Sequence, residues 1–236
     1  MSASKVLLVL GAGGNVGASV VSLFARNGYK VALAARRLQD GTNDDGHLHI
    51  HADLADEASV ESAFDKTSAK FGPPSVVVYN AAAAHIVPAD NPLDLSVASF
   101  NQDIAVNTSS VLVAARRAVQ DFEQLPSTVP KTFVYTGNFL NTEVMPFLIS
   151  LGIGKSASAH LIAVASKAYG PKGYRFYYAD ERTGDGNAAF RDINGPFHAQ
   201  HYLELAEAEE QRPWLQTFVG GQGYKDFSGV GIGSRV

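Results

Sequence analysis

The feature that most constrains this chain is a glycine-rich turn set between a buried strand and a helix. After Lys5, Val6-Leu-Leu-Val-Leu10 is an unbroken apolar run, Gly11-Ala-Gly-Gly-Asn-Val-Gly17 follows, and apolar residues then recur at helical spacing. Glycines let backbone approach a pyrophosphate closely, while a helix N-terminus offers unpaired N–H groups and the positive end of its dipole. Strand, turn and helix in that order give the glycines a meaning that a bare Gly-x-Gly string lacks. Gly11, Gly13, Asn15, Val16 and Gly17 are therefore expected to border a dinucleotide.

The second strand, Tyr29-Lys-Val-Ala-Leu-Ala-Ala35, runs into Arg36 and Arg37. These lie about 20 residues beyond Gly17, where such folds read the 2′ position of the adenosine ribose. No carboxylate stands there to hold a 2′-hydroxyl. Two guanidiniums do, and they suit a 2′-phosphate. The expected cofactor is NADP(H) rather than NAD(H).

The 236 residues are 46% hydrophobic and 18% charged, enough for one α/β domain with a sizeable core. A net charge of −4 argues against nucleic acid or an anionic membrane as the main partner. With no cysteine, disulfides, thiolate nucleophiles and zinc–thiolate sites are excluded. The first residues lack the layout of a secretory signal, and no stretch is read as a membrane span. A cytoplasmic location is expected.

Strand and helix signals alternate along the chain, which predicts a parallel sheet covered on both faces. Strands are expected near residues 6–10, 30–35, 47–52, 75–79, 131–136, 174–179 and 214–219. Helices are expected near 16–27, 57–70 (capped by Asp56), 98–124, 151–169 and 196–211. Residues 180–195 read as a polar loop and, with the helix after them, as a substrate loop or lid over about 180–212. No linker divides the chain, so 1–236 is read as one domain. Its glycine-rich end, 229–236, is expected to be loose.

With these elements in place, the chain resembles the short-chain dehydrogenase/reductase superfamily over nearly its whole length. Gly11, Gly13 and Gly17 fall on that family's cofactor loop, with Asn15 where a small residue is usual. Asp53-Leu54 match its adenine-contacting pair. Tyr79-Asn80-Ala81-Ala82 resemble its Asn-Asn-Ala-Gly turn. Asn107 matches the helix asparagine that helps hold a proton-relay water. The resemblance implies a Rossmann-type doubly wound parallel sheet of about seven strands in a three-layer α/β/α arrangement. It also implies homodimers or homotetramers built through the two long helices.

The same resemblance exposes a loss. Family members use a Ser, a Tyr and a Lys, the Lys following the Tyr by one helical turn. Lys155 falls on the lysine position, but Leu151 stands where the tyrosine belongs, and Asn138 where the serine belongs. Leucine cannot transfer a proton. Asn138 can still polarise a carbonyl or imine through its amide. Lys155 is expected as a ribose and charge contact. Beyond the sixth strand, Asp180, Glu181 and Arg182 occupy the edge of the sheet where open α/β folds bind ligands. Asp180 is a candidate replacement acid, or half of an ion pair with Arg182. Thr183 is a candidate carboxamide contact.

The expected activity is NADPH-dependent hydride transfer to a small-molecule C=O, C=N or activated C=C. A nucleotide-binding protein without turnover, and a non-redox cyclase, lyase or isomerase on the same scaffold, stay open beside it. His47, His49 and His51 alternate on a strand, and His198 and His201 share a helix face. The first set has no clear carboxylate partner; the second is followed by Glu204, Glu207, Glu209 and Glu210 and permits a metal on spacing, but no metal site is assigned to either. Phe197 and His198 are read instead as substrate-side contacts.

Overall fold

The computed structural model describes residues 5–227; the glycine-rich end at 229–236 lies outside them. Among the described residues nine strands form one sheet: β1 (Val6–Leu10), β2 (Lys30–Ala35), β3 (Gly41–Thr42), β4 (Leu48–His51), β5 (Val76–Tyr79), β6 (Thr132–Thr136), β7 (Arg175–Arg182), β8 (Leu215–Val219) and β9 (Gly223–Tyr224). Their order is β3-β4-β2-β1-β5-β6-β7-β8-β9. All neighbours are parallel except the two-residue strands at the edges, which pair antiparallel. Seven strands carry the fold as expected; β3 and β9 add a short protected margin at each side.

The helices are α1 (Val16–Arg26), α2 (Glu57–Phe71), α3 (Val97–Ile104), α4 (Ser110–Gln124), α5 (Ile149–Tyr169) and α6 (Gly195–Glu207). The apolar face of α1 (Val16, Val20, Phe24) and that of α6 (Tyr202, Leu205) pack on one side of the sheet against Leu7, Val9 and Tyr177. Residues from α2, α4 and α5, including Phe64, Phe122 and Ile162, pack on the other against Leu8, Val77 and Phe176. The central strands are buried on both faces, which is why they read as continuous apolar runs. Asp56 caps α2 as expected, its carboxylate accepting from the Ala58 and Ser59 amides.

Three expectations are corrected. The helix expected across 98–124 is interrupted by a π-turn at Ala105–Ser109. The sixth conventional strand does not stop at Ala179: β7 continues through Asp180, Glu181 and Arg182. The segment expected as a loop over 180–195 is shorter: Asp180–Arg182 end β7, the loop runs over 183–194 with a 3-10 turn at Phe190–Asp192, and the helix expected after it is α6, packed against the core. Pro146–Lys172 is also long and apolar enough to cross a membrane by composition, with a mean hydropathy of 1.5. Yet Ser150, Gly154, Lys155, Ser158 and Ile162 of this stretch are buried within the domain.

Candidate active site

Strand order reverses between β1 and β5, so the chains leaving these two strands diverge and open a crevice at their carboxyl ends. Gly11 leaves β1 with φ +94°, and a Cβ there would lie 2.5 Å from the Ala81 nitrogen. Asn80 locks the same place by donating from Nδ2 to the Gly11 carbonyl at 2.9 Å. A Cβ on Gly17 would meet the Ala12 Cα at 2.8 Å. These two glycines are demanded by the fold itself. Gly13 and Gly14 differ, since a Cβ on either meets nothing within 4 Å. Their open side is room that a side chain would take from a ligand.

The helix end beside this space is electrostatically open. The Gly13 amide turns back to Gly11, and the next bonded amide is that of Ala18, which donates to the Gly13 carbonyl at 2.9 Å. The amides of Gly14, Asn15, Val16 and Gly17 are left as donors. The first turn of α1 holds no acidic residue. A pyrophosphate suits this donor set. Asn15 does not cap α1; its carboxamide instead donates to Ile193 O and accepts from Gly195 N, both at 2.9 Å. This explains a long residue at a position where the family has a small one: Asn15 ties the turn to the start of α6.

The remaining expected cofactor residues are placed as follows. Arg36 and Arg37 are exposed at the end of β2, with no ion pair among the described residues. Asp53 is exposed and accepts from the Ala55 amide, while Leu54 is buried in the core. Ala82 is exposed beside Ala81. Thr183 closes its own loop: its hydroxyl bonds to Asp185, and it accepts from the Asn187 amide at 3.1 Å.

The candidate catalytic residues meet at the ends of β6 and β7. A Cβ on Gly154 would lie 2.5 Å from that of Asn107, so glycine permits α5 to rest against the π-turn. Lys155 follows Gly154 in the same turn of α5, and its side chain runs to the end of β6. Lys155 is only 3% exposed, donates to the Thr136 carbonyl at 2.8 Å and lies 4.4 Å above the Tyr135 ring. Burial lowers its ammonium to about 7, against the attraction of Asp180. Burial raises the Asp180 carboxyl to about 6, while Arg182, Lys155 and His198 favour the charged form. Asp180 and Arg182 form the ion pair considered from the sequence. Glu181, which stays inside the strand, is met by His198 at 3.2 Å and by the Asn194 amide at 2.7 Å.

Asn138 is fixed through its backbone. The Tyr178 hydroxyl donates to its carbonyl at 2.7 Å and accepts from its amide at 3.1 Å. Its Oδ1 accepts from Leu140 N, capping a short 3-10 turn. Asn107 spends its side chain on Ala83, and its carbonyl accepts the Ser158 hydroxyl at 2.6 Å. His198 and His201 are both buried; His201 stacks on Phe218 with centroids 4.3 Å apart, and burial lowers it to about 4. They are core residues of α6, whereas Phe197 is 41% exposed. His47 and His49 line a groove beside α1 with Val21 and Leu33.

Sequence reasoning passed over His85, Asp103 and Ser150, which form one hydrogen-bonded cluster beside Leu151. The signal was present: Asp103 lies one helical turn before Asn107 in a segment that faces the core.

A nucleotide crevice at the reversal point of a doubly wound sheet defines a dinucleotide-fold protein, and comparison with known proteins narrows this. The family model described as "Enoyl-(Acyl carrier protein) reductase" matches residues 11–179. A short chain dehydrogenase/reductase of Cryptosporiopsis sp. (strain 8999), dmxR12, is 43% identical over 237 residues, covering 95% of each chain. The solved 3-ketoacyl-(acyl-carrier-protein) reductase of Brucella melitensis, complexed with NADH, superposes with a TM-score of 0.75 at 19% identity, over 92% of this chain and 97% of that one. BdcA in complex with NADPH superposes with a TM-score of 0.72 at 20% identity, over 94% and 96%. These two likenesses concern the fold alone. The chain belongs to the short-chain dehydrogenase/reductase superfamily, and an oxidoreductase that uses a nicotinamide cofactor on a small molecule is the class it falls in.

Proposed function

We propose that the chain is an NADPH-dependent reductase that transfers hydride to a C=O, C=N or activated C=C carbon of a small molecule. The observation that carries the cofactor choice is the pair Arg36 and Arg37, exposed directly after β2, where no carboxylate stands, and without ion-pair partners among the described residues. A 2′-phosphate is the group two such guanidiniums bind best. The bound dihydronicotinamide supplies the hydride. The amides of residues 14–17 hold the pyrophosphate, Asp53 and Leu54 border the adenine, and Asn80, Ala81 and Ala82 flank the ribose. Asn138 offers its Nδ2 hydrogens to the substrate heteroatom. Lys155 and Asp180 set the charge beneath the reacting end, and Asn107 holds the floor of the site. Thr183 and the irregular segment 183–194 cover the substrate, within a single domain. The protein works in the cytoplasm as a homodimer or larger homo-oligomer.

Titration of the protein with NADPH, NADH and NADP⁺ tests this. NADPH is expected to bind about 10–100-fold more tightly than NADH, the worth of one or two charge-assisted hydrogen bonds. Equal affinities overturn the choice of NADPH, and absence of binding overturns the reductase reading. A second reading, nucleotide binding without turnover, is favoured by one observation: Leu151 replaces the proton-transferring tyrosine while Lys155 is turned inward to Thr136. Tight NADPH binding with no oxidation across a panel of ketones, imines and enones would establish it.

A further inference from the structure

We propose that His85 is the proton donor that stands in for the missing tyrosine, held to that task by Asp103 and Ser150. The proposal rests on the reductase reading above.

Asp103 is 1% exposed on α3, where an unpaired carboxylate would be costly. It is fully engaged: Oδ2 accepts from the His85 amide at 2.7 Å and from the Ser150 hydroxyl at 2.5 Å, and Oδ1 meets the His85 Nδ1 at 2.9 Å. A well-packed apolar residue would serve a purely structural role at less desolvation cost. What the buried acid adds is control of an imidazole. With Nδ1–H given to the carboxylate, the tautomer is set and Nε2 becomes the exchanging nitrogen. That ring is 45% exposed, so its proton is exchangeable with the surroundings.

The loop bearing His85 joins the two halves of the site. It begins at Asn80, which is bonded to Gly11 of the glycine-rich turn. At Ala83 it is gripped by Asn107, and at Val87 it donates to Phe147 O at 3.3 Å, just before α5. Ser150, the third member of the cluster, immediately precedes Leu151. His85 is therefore linked through Asp103 to Ser150, the residue adjoining the position where the family keeps its tyrosine, on a loop that starts at the nucleotide crevice.

The step balances simply. The carbonyl carbon gains a hydride, two electrons and one hydrogen nucleus, from dihydronicotinamide, which becomes oxidised nicotinamide. The carbonyl oxygen takes the Nε2 proton of the His85 imidazolium and becomes a hydroxyl. The neutral imidazole keeps Nδ1–H on Asp103 and recovers a proton from water.

Carbethoxylation of the whole protein by diethyl pyrocarbonate, followed by peptide mass spectrometry, tests the placement without turnover. Saturating NADP⁺ is expected to slow modification of His85 several-fold while leaving exposed His160 unchanged. An unprotected His85 under conditions where titration shows nucleotide bound overturns the proposal. Titration that shows no binding overturns the reductase reading, and this proposal with it. In addition, 9,10-phenanthrenequinone serves as a carbonyl probe with NADPH. His85→Gln is expected to lower kcat about 100-fold or more, the usual worth of a positioned proton donor, with NADPH affinity unchanged. Reduction of the quinone by His85→Gln at the wild-type rate also overturns it; a quinone that wild type does not reduce leaves the decision to the protection experiment.

Discussion

Asn107 holds Ala83 by both of its backbone polar groups: Oδ1 accepts the Ala83 amide at 3.0 Å and Nδ2 donates to the Ala83 carbonyl at 2.7 Å. The π-turn at Ala105–Ser109 lies around this clasp. Widened turns of this kind are found mostly where a helix is adjusted to a functional site. Here the site is the loop from β5, which the clasp holds over the crevice.

Replacing Asn107 by Leu removes both bonds and leaves two backbone groups of Ala83 unsatisfied. The expected loss is about 2–4 kcal/mol, seen as a fall in Tm of roughly 5–15 °C. Thermal unfolding followed by circular dichroism checks it. An unchanged Tm would mean that the clasp contributes no stability.

Arg36→Asp reverses the charge at the end of β2. It is expected to weaken NADPH about 10–100-fold while changing NADH little. Isothermal titration of both nucleotides measures the split. Equal losses for the two would show that Arg36 does not contact a 2′-phosphate.

Lys155 makes stability depend on pH in a stated direction. Its ammonium lies lowered to about 7 in the fold, from an ordinary value of 10.5, chiefly by burial. A cation lowered in this way costs stability fully below pH 7, where it is charged in both folded and unfolded chains. The cost fades as pH rises from 7 towards 10.5, because only the unfolded chain then holds the proton. Lys155→Met removes this dependence. Denaturant midpoints between pH 6 and 10 are expected to favour the Met variant most at the acid end, with wild type closing the gap as pH rises. A gap constant across that range would contradict the assignment.

Leu112 on α4, and Ile153 and Val164 on α5, are 58%, 44% and 53% exposed. Ile153 and Val164 lie three helical turns apart on one face of α5. Light scattering after gel filtration is expected to show an oligomer for wild type and a monomer for the Ile153→Glu, Val164→Glu double variant. A monomeric wild type would remove these helices as an interface.

The sequence was most legible where local geometry and chemistry coincide. Gly11 and Gly17 had to be glycine, one for a positive φ beside Ala81 and one for contact with Ala12, so the strand–turn–helix reading was close to forced. Leu151 four residues before Lys155 was equally plain, since the two positions share a helix face. Asp180-Glu181-Arg182 misled for an identifiable reason. Three charged residues after an apolar run read as exposed loop, yet Arg182 neutralises Asp180, and His198 with Asn194 receives Glu181, so β7 carries them inside. The π-turn was not legible either: its widening accompanies a bond to Ala83, far away in sequence, and leaves no mark in the helical period of 97–124.

By itself, the amino-acid order determined the strand and helix sequence, the doubly wound class and the loss of the tyrosine, because each follows from periodicity, turn chemistry or a fixed spacing along one helix. Tertiary structure alone decided that Lys155 turns inward to Thr136, that α6 packs into the core beside α1, and that His85, Asp103 and Ser150 meet. Those outcomes depend on contacts between segments distant in the chain, where burial makes a charge acceptable only if a partner arrives from elsewhere in the fold.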